Sequence, residues 1–413
     1  MCEPRLCYKT AILMVTLAAA ASGATGLKVL HAFGSAGSRG GSSLYGSLIL
    51  DAAGNLYGAA EFGGTRGHGV VFKLSRRTTG GWAETVLYNF KGGSQDGETP
   101  HDSLVMDSAG NLYGTTVAGG GSCNTGCGIV FQLSPASSGS WTETVLHHFA
   151  GGTDGATPYS GVIFDAAGNL YGATTVGGSN GVGTVYKLAP AAGRWTETIL
   201  YSFKGVPDGA TPYAAPVFDN AGNLYGTTYK GGAANQGTVY ELSPQANGSW
   251  SASVLHSFHS TSDGTDLFES LILDAAGNLY GAAETGGSAN CGVAFKLSPN
   301  GSGGWTETIL HTFQGVTVQD GENPNALLFD PAGNLFGTTV GGGVDNPGTI
   351  YKLAPQASGE WTETVLYSFT GGNDGAYPSV PLIMDKAGRL YGTTLWGGPA
   401  GDTTGGVAFE FTP

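Results

Sequence analysis

Six aspartates stand before glycine at similar places along this chain and offer oxygen ligands for a hard cation. They are Asp96, Asp154, Asp208, Asp263, Asp320 and Asp374. Calcium prefers carboxylate and carbonyl oxygens supplied by loops, so the sequence allows one or more Ca²⁺ sites in this series. An Asp-Gly pair also forms a tight turn without any ion, and this is the simpler interpretation.

Seven further aspartates begin the string D-x-A-G-N-L-Y-G, and we name them the marker aspartates. They are Asp51, Asp107, Asp165, Asp219, Asp274, Asp330 and Asp385. Seven carboxylates at one repeat position suggest a metal array, but an aspartate before Ala-Ala-Gly-Asn can accept hydrogen bonds from its own turn. We expect that structural task. The sixth copy has Phe336 in place of tyrosine, and the seventh has Arg389 in place of asparagine.

Residues just upstream of the marker aspartates differ between copies, which makes them the better candidates for a specific activity. Six residues before the marker, five copies carry an aromatic ring: Tyr45, His101, Tyr159, Tyr213 and Phe268. The next position holds two acids, Asp102 and Glu269. Aromatic faces with a few polar groups suit sugars and other planar-faced ligands, so we predict a ligand-binding site. As an alternative, Asp102 and Glu269 could act as catalytic acid and base.

The marker strings recur every 54 to 58 residues, which makes the chain an array of seven repeats. Each repeat contains four short β-type runs. In the third repeat they are VIFD ending at Asp165, NLYGATT from Asn169, TVYKL from Thr184 and WTETILYSF from Trp195. The first three runs are apolar on both faces, as in a sheet covered by neighbouring sheets, whereas the fourth alternates as an outer strand does.

The ends of the chain predict that this array closes into a ring. Leu27 to Phe33 (LKVLHAF) matches a fourth run, and the seventh repeat stops at Val407 to Phe411 without its own fourth run. We therefore predict an all-β fold, a seven-bladed β-propeller of four-stranded antiparallel blades with three-plus-one closure by the N-terminal strand. In such a ring the variable aromatic and acidic positions line the channel mouth, on the face of the interblade loops.

Charge and the N-terminus bear on partners and location. The formal charge of −14 argues against nucleic acid as a partner. Arg5 and Lys9, an apolar run over 11–21 and the small residues 22–24 predict a signal peptide over residues 1–24, followed by one domain over 25–413. No apolar stretch is long enough to span a bilayer. We expect a secreted or periplasmic monomer.

Three cysteines follow the predicted signal peptide. Cys123 and Cys127 stand in one loop (CNTGC), where a short disulfide is expected in an oxidising compartment. Cys291 takes the same repeat position as Cys127 and is expected to be a small buried residue.

The repeat is similar to two known families. Its D-x-x-G-N-L-Y strings and its glycine-rich links ending in proline resemble NHL and SMP-30-type propellers. Its elements G-N-L-Y-G-T-T, GG, G-T-V-[FY]-K-L and D-G-A-x-P more closely resemble the GloVer-type tandem-repeat family of exported bacterial proteins, over residues 27–413. That resemblance implies export and a repeat architecture, and it assigns no chemistry.

Three hypotheses for function follow. The first is a non-enzymatic scaffold that binds a glycan, peptide or surface protein at the interblade-loop face, and near-identical blades without a catalytic motif favour it. The second is a propeller enzyme at the channel mouth, a glycan hydrolase, lyase or lactonase, with or without Ca²⁺. The third is a structural role in an extracellular matrix or surface layer.

Overall fold

The computed structural model describes residues 26–34, 39–121, 123, 126–259, 263–398 and 405–413, so the predicted signal peptide lies outside the described residues. Antiparallel four-stranded sheets repeat seven times within these ranges, which confirms the seven-bladed β-propeller. The one described helix is a 3-10 turn at Val316–Val318. Among the described residues, no helix has the length and apolar character needed to cross a membrane.

Blades 1 to 4 each run from a two-residue inner strand to an outer strand of eight or nine residues. From the channel outwards, their strands are, in blade 1, Ile49–Leu50, Leu56–Ala60, Val70–Arg76 and Trp82–Asn89; in blade 2, Val105–Met106, Leu112–Gly119, Ile129–Pro135 and Trp141–His148; in blade 3, Ile163–Phe164, Leu170–Thr174, Thr184–Ala191 and Arg194–Ser202; in blade 4, Val217–Phe218, Leu224–Thr228, Thr238–Pro244 and Trp250–Ser257.

The remaining blades follow the same order. Their strands are, in blade 5, Ile272–Leu273, Leu279–Ala283, Val293–Pro299 and Trp305–Thr312; in blade 6, Leu328–Phe329, Leu335–Gly342, Thr349–Pro355 and Trp361–Ser368; in blade 7, Ile383–Met384, Leu390–Thr393, Val407–Phe411 and Leu27–Ala32. Short strands also occur in the links between blades and in the loops after strand two: Gly41–Ser42, Phe62–Gly63, Gly97–Pro100, Gly209–Ala210, Lys230–Gly231 and Gly321–Pro324.

The N-terminal strand Leu27–Ala32 is the outer strand of blade 7, as the repeat phase predicts. It pairs antiparallel with Val407–Phe411, and the register shifts between Val29 and His31. Blade 3 has the same shift, because Val185 pairs with Tyr201 while the next residue, Tyr186, pairs with Ile199. A β-bulge at the same place shows that the strand from the start of the chain takes the full role of a fourth strand.

The core consists of seven buried apolar clusters, one at each interface between neighbouring blades. Each blade covers the face of the next, so burial of one sheet depends on its neighbours. Strand three supplies an aromatic ring that lies over a strand-two glycine. A Cβ atom added at Gly172 would stand 2.5 Å from the Tyr186 hydroxyl oxygen, which explains the glycine of the N-L-Y-G string.

The marker aspartates hold the turn between strands one and two in every blade. In blade 3, Asp165 accepts hydrogen bonds from the N–H groups of Ala167 and Asn169, from the Asn169 side chain and from the Tyr171 hydroxyl. Burial alone would raise the pKa of Asp165, but these donors outweigh it and the pKa is lowered. The carboxylate therefore has the local structural task that the sequence suggests.

Both cysteines of the CNTGC loop lie beside blade 2. The structure pairs Cys123 with Cys127 as a disulfide, with Cα atoms 5.4 Å apart. Cys291 is 4% exposed and packs in the cluster between blades 5 and 6, so the expectation of a small buried residue agrees with its position.

Candidate functional site

A cavity of about 640 Å³ opens at the channel mouth, on the face that carries the interblade links. Its lining includes all seven residues predicted for ligand binding: Tyr45, His101, Asp102, Tyr159, Tyr213, Phe268 and Glu269. The structure thus brings residues from five blades to one cavity. Whether they bind a ligand stays a prediction at this point, because the geometry establishes only their common location.

The aromatic rings of this cavity form a continuous series around the mouth. Tyr45 stacks on His101 with ring centroids 4.8 Å apart, and His101 meets Tyr159 edge-on at 4.9 Å. Tyr159 then lies 5.1 Å from Tyr213, and Tyr213 lies 5.1 Å from Phe268. These separations are typical of favourable aromatic pairs. The rings support one another and present a preformed apolar wall.

Backbone contacts between neighbouring blades fix the segments that carry these rings. The N–H of Ser47 donates to the Ser103 hydroxyl at 2.9 Å, and the N–H of Gly161 donates to the Asp102 carboxylate. In blade 6, the Asn325 side chain donates to the Pro378 carbonyl of blade 7 at 2.8 Å. Because each segment is tied to the next blade, the mouth is rigidly positioned by the ring itself.

Asp102 has a structural role that the sequence did not indicate. Its carboxylate accepts the N–H groups of Gly161 and Ser103, which joins blade 2 to blade 3. Burial raises the pKa of Asp102, and these two N–H donors act in the opposite direction. The contacts favour a positioning role for Asp102. Its predicted catalytic role stays a hypothesis, as does that of Glu269, whose side chain lines the cavity.

Sequence reasoning missed a second variable position, the residue ten positions after each marker aspartate. Across the seven blades it is Glu61, Val117, Thr175, Tyr229, Glu284, Val340 and Leu395. Tyr229 stacks on Phe268 at 4.8 Å, and Glu284 lines the cavity although it is only 7% exposed. The same criterion that found the strand-one positions, variation within a regular repeat, would have found these residues.

Glu61 is the acid of this second position with the clearest chemical signature. Its Oε1 atom lies 3.6 Å from Nε2 of His101. Burial raises the pKa of Glu61 to about 7. A carboxyl that keeps its proton near neutral pH can donate a hydrogen bond, so Glu61 and His101 form a polar pair, of which His101 lines the cavity.

Trp396 and Tyr377 complete the wall at blade 7. Trp396 is 47% exposed and lines the cavity, and its ring meets that of Tyr377 edge-on at 5.6 Å. Neither residue was predicted for the site, because both lie in links and loops whose lengths vary between blades.

The six interblade aspartates lie outside the channel mouth. They stand where the outer strands of two neighbouring blades meet, and we call each of these places a seam. Asp96 accepts the N–H of Lys91 and the hydroxyl of Tyr88, and the Tyr88 hydroxyl also lies 2.8 Å from Glu143 of the next blade. Asp208 and Asp374 likewise accept a tyrosine hydroxyl and a backbone N–H of their own turn. The turn interpretation of this series is thereby supported.

Four seams carry histidine in place of this tyrosine, and three of them bring together groups that can bind a metal. Their residues are His147, Asp154 and Glu197; His256, Asp263 and Glu307; and His311, Asp320 and Glu363. In each set, one donor atom per residue lies within 4.8 Å of the others. The repeat sequence does not reveal these sets, because the glutamate of each comes from the next blade, about 50 residues later.

A closed ring of seven sheets with an aromatic cavity over its channel defines this protein as a β-propeller repeat protein. The chain belongs to the Gloeobacter/Verrucomicrobia repeat family, whose model matches residues 16–214, 121–318 and 268–413. This match confirms the resemblance drawn from the repeated sequence elements.

Solved structures share the fold at low sequence identity. A putative 6-phosphogluconolactonase from Bacteroides fragilis NCTC 9343 is 16% identical with a TM-score of 0.53, over 88% of this chain and 98% of that one. A putative 6-phosphogluconolactonase from Bacteroides uniformis ATCC 8492 is 16% identical with a TM-score of 0.52, over 84% and 89%.

An ancestral GH74 enzyme is 12% identical with a TM-score of 0.54, and the match covers 92% of this chain but only 48% of that one, so this chain spans about half its length. At these identities, the likenesses to the three structures establish the propeller fold alone. No curated protein matches the chain.

Proposed function

We propose that this protein is a non-enzymatic binding scaffold that holds a neutral saccharide in the cavity at the channel mouth. The observation that carries the proposal is the continuous aromatic wall from Tyr45 to Phe268, with ring centroids about 5 Å apart. Sugar rings present apolar C–H faces that pack on aromatic side chains, and their hydroxyl groups need a few polar partners. Glu61, Glu284 and Asn325 supply polar groups near that wall.

The charge of the cavity favours a neutral ligand over a phosphorylated or acidic one. Among the described residues that line it, Asp102, Glu269 and Glu284 are acids, and none is lysine or arginine. An anionic ligand would meet these acids in a cavity whose lining carries no permanently charged cation. This argues against a phosphosugar such as the one in the name of the two Bacteroides structures.

The test is calorimetric titration of the purified chain with a panel of neutral and acidic oligosaccharides. We expect binding of a neutral member and recovery of that ligand intact. Tyr213→Ala should weaken binding about tenfold or more, because its ring contacts Tyr159, Tyr229 and Phe268 at the centre of the wall.

Phe62→Ala is the matched control. Phe62 is an aromatic residue on the same face, 41% exposed, and it lies outside the lining of the cavity. The Phe62→Ala variant should bind the saccharide with the same affinity as the wild type. Equal affinity of Tyr213→Ala and the wild type would reject the mouth as the site, and binding of acidic members alone would reject the neutral saccharide.

The second candidate function is enzymatic, and the raised pKa of Glu61 favours it. A carboxyl with a pKa of about 7 beside His101 has the protonation behaviour of a general acid. Product analysis of the same panel, extended with sugar lactones, distinguishes the two functions. Turnover that is lost in Glu61→Gln would establish an enzyme, and intact ligand at every time point would support the scaffold.

Location and calcium binding belong to this proposal as well. We place the mature protein outside the cytoplasm after removal of residues 1–24, which N-terminal sequencing of the protein from a bacterial periplasm would test. Calcium binding at the interblade aspartates is the less supported part of the proposal. Backbone N–H groups, tyrosine hydroxyls and histidines already contact those carboxylates and occupy much of their coordination capacity.

A further inference from the structure

The seam between blades 4 and 5 collects two histidines and two acids from three separate segments. His256 lies in the outer strand of blade 4, His259 and Asp263 lie in the link that follows, and Glu307 lies in the outer strand of blade 5. The side chain of Asp263 is 10% exposed and that of Glu307 is 16% exposed. Two carboxylates are thus withdrawn from solvent side by side.

The distances in this seam match those between ligands of one tetrahedral metal ion. Nε2 of His256 lies 3.2 Å from Oδ2 of Asp263 and 3.6 Å from Oε1 of Glu307. Nδ1 of His259 also lies 3.5 Å from this Asp263 oxygen, but the His259 side chain is 59% exposed and stands outside the set of three donors. Donors bonded to Zn²⁺ at about 2.0–2.2 Å with tetrahedral angles stand about 3.3–3.6 Å apart.

A second observation points to a missing ligand in this seam. Oε1 of Glu307 is fully buried and has no hydrogen-bond partner in the described part of the chain, although it faces the His256 ring. A buried carboxylate oxygen without a partner is costly, and a cation between it and the imidazole would satisfy both. The N–H of His259 donates to both Asp263 oxygens, at 3.0 and 3.2 Å, which orients that carboxylate.

Other seams of the same molecule carry a tyrosine in place of His256, and their contacts provide a comparison. Between blades 1 and 2, the Tyr88 hydroxyl lies 2.9 Å from Asp96 and 2.8 Å from Glu143, so one side chain bridges both acids. The tyrosine thus donates to one oxygen of the glutamate, whereas Oε1 of Glu143 has no partner in the described part of the chain, as is the case for Oε1 of Glu307. A histidine offers instead a ring nitrogen of the kind that zinc prefers.

We propose that the seam between blades 4 and 5 binds a divalent transition metal of the Zn²⁺ class through His256, Asp263 and Glu307. The ion balances the two carboxylates and clamps the two outer strands together. A set with one imidazole nitrogen and two carboxylates suits Zn²⁺ better than Ca²⁺, which takes six to eight oxygens. The seams at His147 and His311 offer the same three donor types and belong to the same class.

The experiment is equilibrium dialysis of the tag-free full chain against ZnCl2, with thermal unfolding followed in parallel. His256→Tyr is the matched variant, because it converts this seam into the tyrosine seam that the protein already uses at Tyr88. We expect the variant to bind one zinc ion fewer than the wild type and to lose the corresponding part of the zinc-dependent rise in melting temperature. His259→Ala, which removes none of the three donors, should keep the site.

Two further variants make the outcome decisive. Glu307→Gln keeps the shape of the seam and removes one ligand charge. It should also lose the zinc site between blades 4 and 5, and it is measured in place of His256→Tyr if that variant does not fold. His147→Tyr with His311→Tyr should keep that site. Equal zinc stoichiometry and equal zinc-induced stabilisation in the wild type, His256→Tyr and Glu307→Gln would overturn the proposal, as would competition by an equal concentration of CaCl2.

Discussion

At the residue scale, the seven marker aspartates form a natural mutational series. Six have a tyrosine hydroxyl among their donors, but Asp330 has only the donors of Ala332 and Asn334, because Phe336 lacks the hydroxyl. We expect Asp165→Ala to lower the free energy of unfolding by about 2 kcal/mol and Asp330→Ala by about 1 kcal/mol less, the contribution of one hydrogen bond. Urea unfolding of both variants measures the difference, and equal losses would contradict the assigned role of Tyr171.

Glu61 should make stability depend on pH in a defined direction. Its pKa is raised by burial from 4.5 to about 7 in the folded protein. Below pH 4.5 the carboxyl is protonated in both states. Between these values the unfolded chain ionises while the folded protein keeps its proton, so the free energy of unfolding falls as pH rises, and above pH 7 the loss is complete.

Glu61→Gln removes this effect and should gain stability relative to the wild type between pH 5 and pH 8. Urea unfolding at both values is the measurement, and Glu360→Gln, at an exposed glutamate, is the control. A relative stability that stays constant or falls across this range would contradict the burial of Glu61. The groups that face Glu61 are His101 and Tyr159, so His101→Gln should be measured beside it.

Some contacts of single residues can be predicted from the sequence of one repeat, and others cannot. The task of Asp165 was predictable, because all of its donors lie within six residues. The contacts of Asp102 with Gly161 and of His256 with Glu307 were not, because each crosses from one blade to the next. Such contacts depend on how neighbouring sheets pack, and no local pattern encodes that packing.

At the element scale, the strand Leu27–Ala32 has the largest predicted consequence. Leu30 and Phe33 are buried in the cluster between blades 7 and 1, together with Phe72 and Tyr391. A chain that starts at Ser35 loses these contacts and exposes the edge strand Val407–Phe411. We expect a lower melting temperature and a tendency to aggregate, measured by calorimetry and light scattering against a chain that starts at Gly26.

The contrary result would be informative as well. An unchanged melting temperature in the shorter chain would show that the ring does not depend on its N-terminal strand. Removal of Thr412 and Pro413, which are exposed, is the control at the other end of the same pair of strands and should have little effect.

The sequence predicted the number and order of strands but overestimated the length of the first one. The run VIFD suggested four residues, whereas the ladder covers only Ile163–Phe164. Residues before this pair leave the sheet to contact the neighbouring blade at the mouth, as Gly161 does through Asp102. Strand length near the axis is thus set by contacts between blades, which apolar patterning does not report.

At the scale of the whole molecule, closure of the ring brings variable positions from different blades together around one cavity. The five strand-one aromatics were predictable because variation stands out against seven near-identical copies. Trp396 was missed, since its place at the mouth follows from the path of a loop rather than from strand alternation, whereas the acids after strand two were missed although the same variation marks them. The proposed function of this propeller is therefore carried by the positions where the repeat is broken.

Trp396 provides the most direct measurement of the central claim, that the cavity at the channel mouth binds a saccharide. It lines the cavity, whereas the other six tryptophans stand in the outer strands. A neutral saccharide that binds in calorimetry should change the tryptophan fluorescence of the wild type saturably and with the same dissociation constant. Trp396→Phe, which keeps an aromatic ring, should bind the saccharide without that signal. Calorimetric binding that leaves the Trp396 fluorescence unchanged, or no binding by any neutral saccharide, would contradict the claim.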